Sequence, residues 1–188
     1  MSESIWTGER VRLRGVEPED WEQFHGFDAY SVGARSADIL HPPRSEAGSR
    51  LWAEEASTAK VTGDEFGLAI ESLDGDVVGH LSTSNADPRA GRFSYGIAIG
   101  RAFHRRGYAS DAVVVLLRYM FGERRYHKVE AEIYAYNEAS LALHERLGFQ
   151  QEGRLRDHEF FAGRYYDVVV MGMTADEFAA RHRFGPVV

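Results

Sequence analysis

The stretch Ile97-Ala98-Ile99-Gly100-Arg101-Ala102-Phe103-His104-Arg105-Arg106-Gly107-Tyr108-Ala109-Ser110 decides how this chain is read. It begins as the end of an alternating strand, crosses a loop rich in arginine, and reaches Gly107 and the small Ala109 where a long helix starts. Backbone N–H groups at such a helix start have no partner inside the helix and point outward together. With the helix dipole behind them they form an anion site suited to phosphate. Gly107 and Ala109 let a ligand approach the backbone, and Arg105 and Arg106 add positive charge. An ordinary loop with solvated arginines accounts for the spacing alone equally well, because short glycine patterns are weak signals.

Working outward, residues 92–99 alternate Phe93, Tyr95, Ile97 and Ile99 on one face, and Gly96 suggests a bulge or a close backbone approach. After Gly107 the helix runs to about Phe121, with Val113, Leu116, Leu117 and Met120 as its buried stripe. Residues 128–136 alternate again. Asn137 then caps a short helix that Gly148 ends, with Ala139, Leu143 and Leu147 facing inward. Two closing strands follow, over 150–161 and 165–173, with Ala162-Gly163 at their turn.

Upstream, residues 10–14 alternate as a half-buried strand, and Pro18-Glu19-Asp20 opens a helix carrying Trp21 and Phe24. Residues 45–60 make a second helix with Leu51, Trp52 and Ala56 on one side. Strands over 66–71 and 77–82 are joined by the hairpin turn Asp74-Gly75-Asp76, and 85–91 is a further turn. The irregular segment 30–49, with Pro42-Pro43, is a solvated connector or a mobile lid. The order β-α-α-β-β-β-α-β-α-β-β predicts an α+β domain around one mostly antiparallel sheet.

Composition sets the limits. The chain has 188 residues, 44% of them hydrophobic, which suits one compact domain with a real core. Its 22 Lys and Arg against 29 Asp and Glu give a net charge of -7, which argues against a general nucleic-acid binder. With no cysteine, disulfides and thiolate catalysis are excluded. The first residues lack the pattern of a signal peptide and no apolar run is long enough to span a bilayer, so a soluble cytoplasmic protein without a membrane partner is expected. His25, His41, His80, His127 and His158 show no metal-ligand spacing, and no metal is assigned.

A second informative segment is Asn137-Glu138-Ala139-Ser140, followed by His144 and by Leu147-Gly148-Phe149. Asn137 with Ser140 forms an N-cap and Gly148-Phe149 a C-cap, a role that does not exclude function. Ser140 and His144 are four apart and share a helix face. A serine hydrolase is not indicated, because no G-x-S-x-G elbow is present.

Together these two segments resemble the GNAT-type N-acetyltransferase superfamily. The phosphate loop of that family, Q/R-x-x-G-x-G/A, is matched by His104-Arg105-Arg106-Gly107-Tyr108-Ala109, with histidine at the first position. Its later motif, N-x-x-S/A followed by G-F, is matched by Asn137, Ser140, Gly148 and Phe149. The ending, Glu152-Gly153 through Glu159 and then Gly163-Arg164-Tyr165-Tyr166-Asp167, looks like the ribosomal-protein N-terminal (Rim-type) branch. The resemblance runs from Arg10 to about Met173.

The resemblance implies a single GNAT-like domain over 1–188: a mixed, mostly antiparallel twisted sheet flanked by helices, with acetyl-CoA as co-substrate in a V-shaped opening between two parallel strands. It implies that Ile97, Ala98 and Ile99 bond the pantetheine arm. His104, Arg105, Arg106, Gly107, Tyr108, Ala109 and Ser110 would hold the pyrophosphate, and Asn137 would fix the cofactor near its thioester. The expected reaction is direct attack of a neutral amine on the thioester carbonyl, which needs a base, an oxyanion donor and an acid for the thiolate. By resemblance Ser140 serves the departing thiolate, since His144 stands where many members carry a tyrosine, and Glu159 is the base. A solvent-facing strand residue is the competing reading of Glu159. Tyr95, Tyr134 and Tyr136 either line the acceptor site or belong to the core, and Asp167 is a structural hydrogen-bonder.

The expected acceptor is a primary amine, either a protein N-terminus or a small molecule. A CoA-binding module without catalysis and a domain using a longer acyl-CoA remain alternatives. Dimerisation is common in that family, and no segment here decides whether the chain forms a homodimer.

Overall fold

The computed structural model describes residues 4–29, 35 and 41–182. In chain order the elements are strand β1 (Val11–Arg14), helices α1 (Trp21–Asp28) and α2 (Glu46–Thr58), and strands β2 (Gly67–Ser72), β3 (Val77–Asp87) and β4 (Arg92–Ile99). Helix α3 (Tyr108–Gly122), strand β5 (Lys128–Tyr134), helix α4 (Glu138–Leu147), strands β6 (Gln150–Phe161) and β7 (Arg164–Thr174) and helix α5 (Ala175–Arg181) complete them. Seven strands form one sheet in the order β1-β2-β3-β4-β5-β7-β6. Strands β4 and β5 are parallel, whereas β1–β2, β2–β3, β5–β7 and β6–β7 are antiparallel, so the sheet is mixed as expected. The irregular segment predicted over 30–49 lies outside the described residues at 30–34 and 36–40, and α2 begins within it at Glu46.

The chain divides into two compact units, Met1–Ser84 with Gly96–Leu116 and Asn85–Tyr95 with Leu117–Val188, so that β4 and α3 each contribute to both. In the first unit, β1 buries Val11 and Leu13 and turns its arginines toward two buried carboxylates. The Arg14 guanidinium grips Asp20 through both terminal nitrogens at 2.7 and 2.8 Å, while its Nε reaches Glu71 at 2.8 Å. Arg12 also bonds Glu71. These contacts balance the desolvation of Asp20 and Glu71, and removing one partner of such a group typically costs about 3–5 kcal/mol. Against this rim packs an apolar cluster of Val16, Phe24, Ala53, Ala69 and Val77, with Trp21, Phe27, Trp52 and Ala56 at its edge. Leu51, predicted to share that side of α2, instead points to solvent at 56% exposure, because Ala53 supplies the buried position.

In the second unit β7 is the inner strand, paired with β5 from Lys128↔Thr174 to Tyr134↔Val168 and with β6 on its other edge. Its Val168, Val169, Met171 and Met173 are buried with Val129, Ala131 and Ile133 of β5. The β6–β7 turn sits at Ala162 and Gly163, both left-handed at φ 49° and 82°, the geometry a tight hairpin requires. Phe93 packs edge-on against Phe121 and Tyr126, and Phe121 in turn meets Phe178 of α5. Helix α5 starts with a reciprocal capping box between Thr174 and Glu177, written in the sequence as T-x-x-E. On α4 Leu147 is buried as predicted, whereas Ala139 is exposed and His144 joins Leu147 on the buried side.

The close backbone approach predicted at Gly96 occurs elsewhere. The nearest atom to a Cβ placed on Gly96 is Ser82 Oγ at 3.9 Å, an ordinary contact. A Cβ on Gly79, by contrast, would collide with the Ala98 carbonyl oxygen and crowd the Ile99 side chain. Gly79→Ala is therefore expected to lower unfolding free energy by about 2–3 kcal/mol, and Gly96→Ala by less than about 1 kcal/mol. Urea unfolding of the two variants checks the contrast.

Candidate active site

The arginine-bearing loop and the start of α3 lie in the first unit. Two of the loop's residues, Arg105 and Gly107, are left-handed at φ 62° and 82°, which bends the chain sharply into the helix. Alternating hand of this kind turns successive N–H groups toward one side, as in anion-binding nests. Beyond the bend, Tyr108, Ala109 and Ser110 form the first turn of α3 and are half-buried. The His104 side chain is engaged within the loop. Its Nε2 lies 2.8 Å from the Ile99 carbonyl, which can only accept, so Nε2 carries the proton and pins the loop to the end of β4. Arg106 lies over the Phe103 ring at 5.6 Å, while the Arg105 side chain is exposed. Ile97 and Ile99 are half-buried and Ala98 is exposed.

Two residues of this region escaped the sequence reading. The Asp111 carboxylate, in the first turn of α3, accepts backbone N–H bonds from Glu9, Arg10 and Val11 at 3.1, 2.7 and 3.0 Å. It ties the start of β1 to the loop-bearing end of the helix, and its negative charge suits the positive end of the dipole. Arg10 follows from that tie: its Nε lies 3.1 Å from where a Cβ of Gly107 would stand. Contacts across a hundred residues leave no local pattern in sequence.

The second group of predicted residues lies in the other unit. Asn137 Oδ1 accepts the Ser140 N–H at 3.1 Å, and left-handed Gly148 at φ 104° closes the helix. Ser140 is half-buried. Its partner on the helix face, His144, is 3% exposed, stacks against Tyr95 and meets the edge of Phe149. Tyr95 belongs to the core rather than to an acceptor surface: it is 8% exposed, and its hydroxyl lies 2.8 Å from His144 Nε2. Burial pushes the Tyr95 phenol far up and the His144 imidazole down, so both are neutral near pH 7.

Tyr134 and Tyr136 stack face to face at 5.5 Å, and Tyr136 continues onto Phe161 and Tyr166. Glu159, half-buried, sits opposite Tyr166 in the β6–β7 ladder. Its register is reset by a bulge between Leu155 and Glu159, where Asp157 is left-handed at φ 50°. Such bulges re-aim side chains, and strict alternation in the sequence does not reveal them. Asp167 takes the structural role expected of it. Its carboxylate accepts the Asp157 N–H at 3.0 Å and Arg154 Nε at 2.6 Å, which hold it below the usual carboxylate range.

Because burial holds the folded-state pKa of His144 below its ordinary 6.5, the neutral ring favours folding above that value, and this contribution is lost as pH falls below it. His80 is lowered by burial in the same sense. The unfolding free energy from urea titration is expected to decline between pH 7 and pH 5.5, by at most about 1.4 kcal/mol per pH unit for each such ring, and His144→Asn should flatten part of that decline.

Comparison with known proteins matches this arrangement to one family. Residues 10–150 fit the family model of an acetyltransferase (GNAT) domain. An SPbeta prophage-derived uncharacterized N-acetyltransferase of Bacillus subtilis, YokL, is 39% identical over 182 residues, covering 97% of this chain and 99% of its own length. The ribosomal protein uS5-alanine N-acetyltransferase of Escherichia coli is 27% identical over 114 residues, 60% of this chain and 58% of its own. Among solved structures, spermidine N-acetyltransferase from Vibrio cholerae, in complex with CoA and spermine, superposes with a TM-score of 0.75 at 20% identity, over 90% of this chain and 98% of its own. The chain belongs to the GNAT family of acetyltransferases, enzymes whose co-substrate is acetyl-CoA.

Proposed function

We propose that this chain, acting as a single cytoplasmic domain over residues 1–188, transfers the acetyl group of acetyl-CoA directly to a primary amine. The observation that carries the reading is the bend at Arg105 and Gly107, which delivers the first turn of α3 as a cluster of outward N–H groups beside exposed Arg105. A diphosphate is the ligand such a cluster suits, through backbone donors and the helix dipole. The backbone edge of Ile97, Ala98 and Ile99 offers donors and acceptors for the amide-bearing pantetheine arm, and small side chains at Ala98 and Ala109 leave room for it.

In this reading Glu159 takes a proton from the incoming ammonium, so that the neutral amine attacks the thioester carbonyl. The carbon–sulfur bond breaks, the Ser140 hydroxyl donates to the departing thiolate, and the attacking nitrogen gives up its second proton to solvent, which reprotonates the serine. The acetyl group ends on nitrogen as the amide while CoA leaves as the thiol. Asn137 fixes the cofactor near its thioester in this reading, and its side chain also accepts the Ser140 N–H in the α4 cap. Serine at 140 with histidine at 144 supports the ribosomal-protein branch over members that use a tyrosine acid. The acceptor is a protein N-terminus or a small amine. Relatives act on both classes by name, ribosomal protein uS5 and spermidine.

Two variants test the assignment. Gly107→Trp is expected to weaken acetyl-CoA binding by at least about a hundredfold in calorimetry, the loss of several hydrogen bonds to a charged ligand. Unchanged affinity in a folded variant removes the loop from the site. Glu159→Gln is expected to lower kcat by about a hundredfold, the scale of general-base catalysis, with the KM for acetyl-CoA unchanged. An unaltered kcat removes Glu159 from the mechanism.

A further inference from the structure

Among the described residues, a buried polar chain that the proposed reaction does not use joins Tyr95, His144 and the helix turn that carries Ser140. His144 Nδ1 lies 2.8 Å from the Ser140 carbonyl oxygen and 3.4 Å from Ser140 Oγ. The carbonyl can only accept, so Nδ1 carries the imidazole proton. Nε2 is therefore the bare nitrogen, and it accepts the Tyr95 hydroxyl at 2.8 Å. Ring stacking on Tyr95 at 5.8 Å and the edge contact with Phe149 at 4.9 Å hold the imidazole plane in place. Both ring nitrogens are thus bonded, and the Ser140 carbonyl fixes the tautomer, since the Tyr95 hydroxyl can donate to a bare nitrogen.

We propose that Tyr95 and His144 are positioning residues that make Ser140 a proton donor and prevent it from becoming a nucleophile. In a nucleophilic serine, the neighbouring histidine offers a bare nitrogen that takes the hydroxyl proton. Here the nitrogen beside Ser140 Oγ bears a hydrogen instead. The imidazole N–H is shared between the Ser140 carbonyl and its Oγ, which occupies an oxygen lone pair and turns the hydroxyl hydrogen away from His144. That hydrogen is left to meet the sulfur as the carbon–sulfur bond breaks, and solvent returns the proton afterwards. Neither His144 nor Tyr95 changes its own protonation. Tyr95 acts by holding the ring in place through Nε2, while the Ser140 carbonyl, which can only accept, selects the tautomer: with the proton on Nε2 instead, that carbonyl would lose its donor.

This inference rests on the acetyl-transfer reading of Ser140, and the test separates the two. Steady-state kinetics with acetyl-CoA and a turned-over amine are measured for the full chain and for Ser140→Ala, His144→Asn, His144→Gln, Tyr95→Phe and the doubles on Ser140→Ala. The Asn amide nitrogen can occupy the Nδ1 position and keep the donor, whereas Gln reaches the Nε2 position instead. His144→Asn should hold kcat within about threefold, and His144→Gln should lose about tenfold, one hydrogen bond's worth, both with an unchanged KM for acetyl-CoA. Tyr95→Phe should lower kcat severalfold. In the Ser140→Ala background these losses should vanish, because the residues act through the serine hydroxyl. Intact mass after incubation with acetyl-CoA alone should show no acetylated enzyme.

Losses that persist undiminished in the Ser140→Ala background overturn the inference, as does Gln outperforming Asn. An acetyl-serine at Ser140 overturns it as well. A normal kcat in Ser140→Ala alone overturns the serine's role itself and the inference with it, whereas the loop and Glu159 assignments stand on their own variants.

Discussion

A buried phenol and a buried imidazole share one hydrogen bond in the interior of this protein, and each satisfies the other's polar group there. Leaving either polar group unpaired at that depth would cost about 1–3 kcal/mol. The bond from Tyr95 to His144 Nε2 joins β4 to α4, and the second imidazole nitrogen joins the ring to the first turn of the same helix. Through this link a strand residue holds the ring whose Nδ1 faces the carbonyl and hydroxyl of Ser140. Helix capping does the rest: Asn137 starts α4 where Ser140 falls in its first turn, and Gly148 stops it where Phe149 can turn back onto the His144 ring.

Much of this was legible in the sequence where the cause is local. The alternation of Phe93, Tyr95, Ile97 and Ile99 bounds β4 as observed, and the capping residues Asn137 and Gly148 bound α4. The buried stripe of α3 is likewise as its spacing predicts, with Val113, Leu116, Leu117 and Met120 fully enclosed. Failures cluster where the cause is distant. Leu51 and Ala139 obey helical periodicity, but which face is covered depends on partners far along the chain. Gly79 and Gly96 look equivalent as isolated strand glycines, yet only Gly79 meets another strand's carbonyl. Nothing local could show that Asp111 holds the backbone of Glu9, Arg10 and Val11, or that a bulge before Glu159 resets its register.

The candidate site shows the same division. The anion loop announces itself because its chemistry is made by consecutive residues: a bend, a helix start and arginines. The histidine at its first position was legible only as a departure from a motif, and the structure adds its bond to the Ile99 carbonyl, which anchors the loop to the end of β4. The chain's overall charge of -7 is compatible with a basic loop because one diphosphate needs only a small, well-directed cluster of donors. Positive charge over the whole surface, as a nucleic-acid binder needs, is not required.

The absence of cysteine and the tautomer at His144 converge on one chemical claim: the acetyl group passes from CoA to the amine without resting on the protein. Release of free CoA thiol, followed spectrophotometrically with acetyl-CoA and a panel of peptide N-termini, polyamines and amino acids, tests it most directly. The account predicts thiol release only when an accepted amine is present, in a one-to-one ratio with N-acetyl product. A burst of thiol equal to the enzyme concentration before any amine is added, or no release with any amine of the panel, would contradict it.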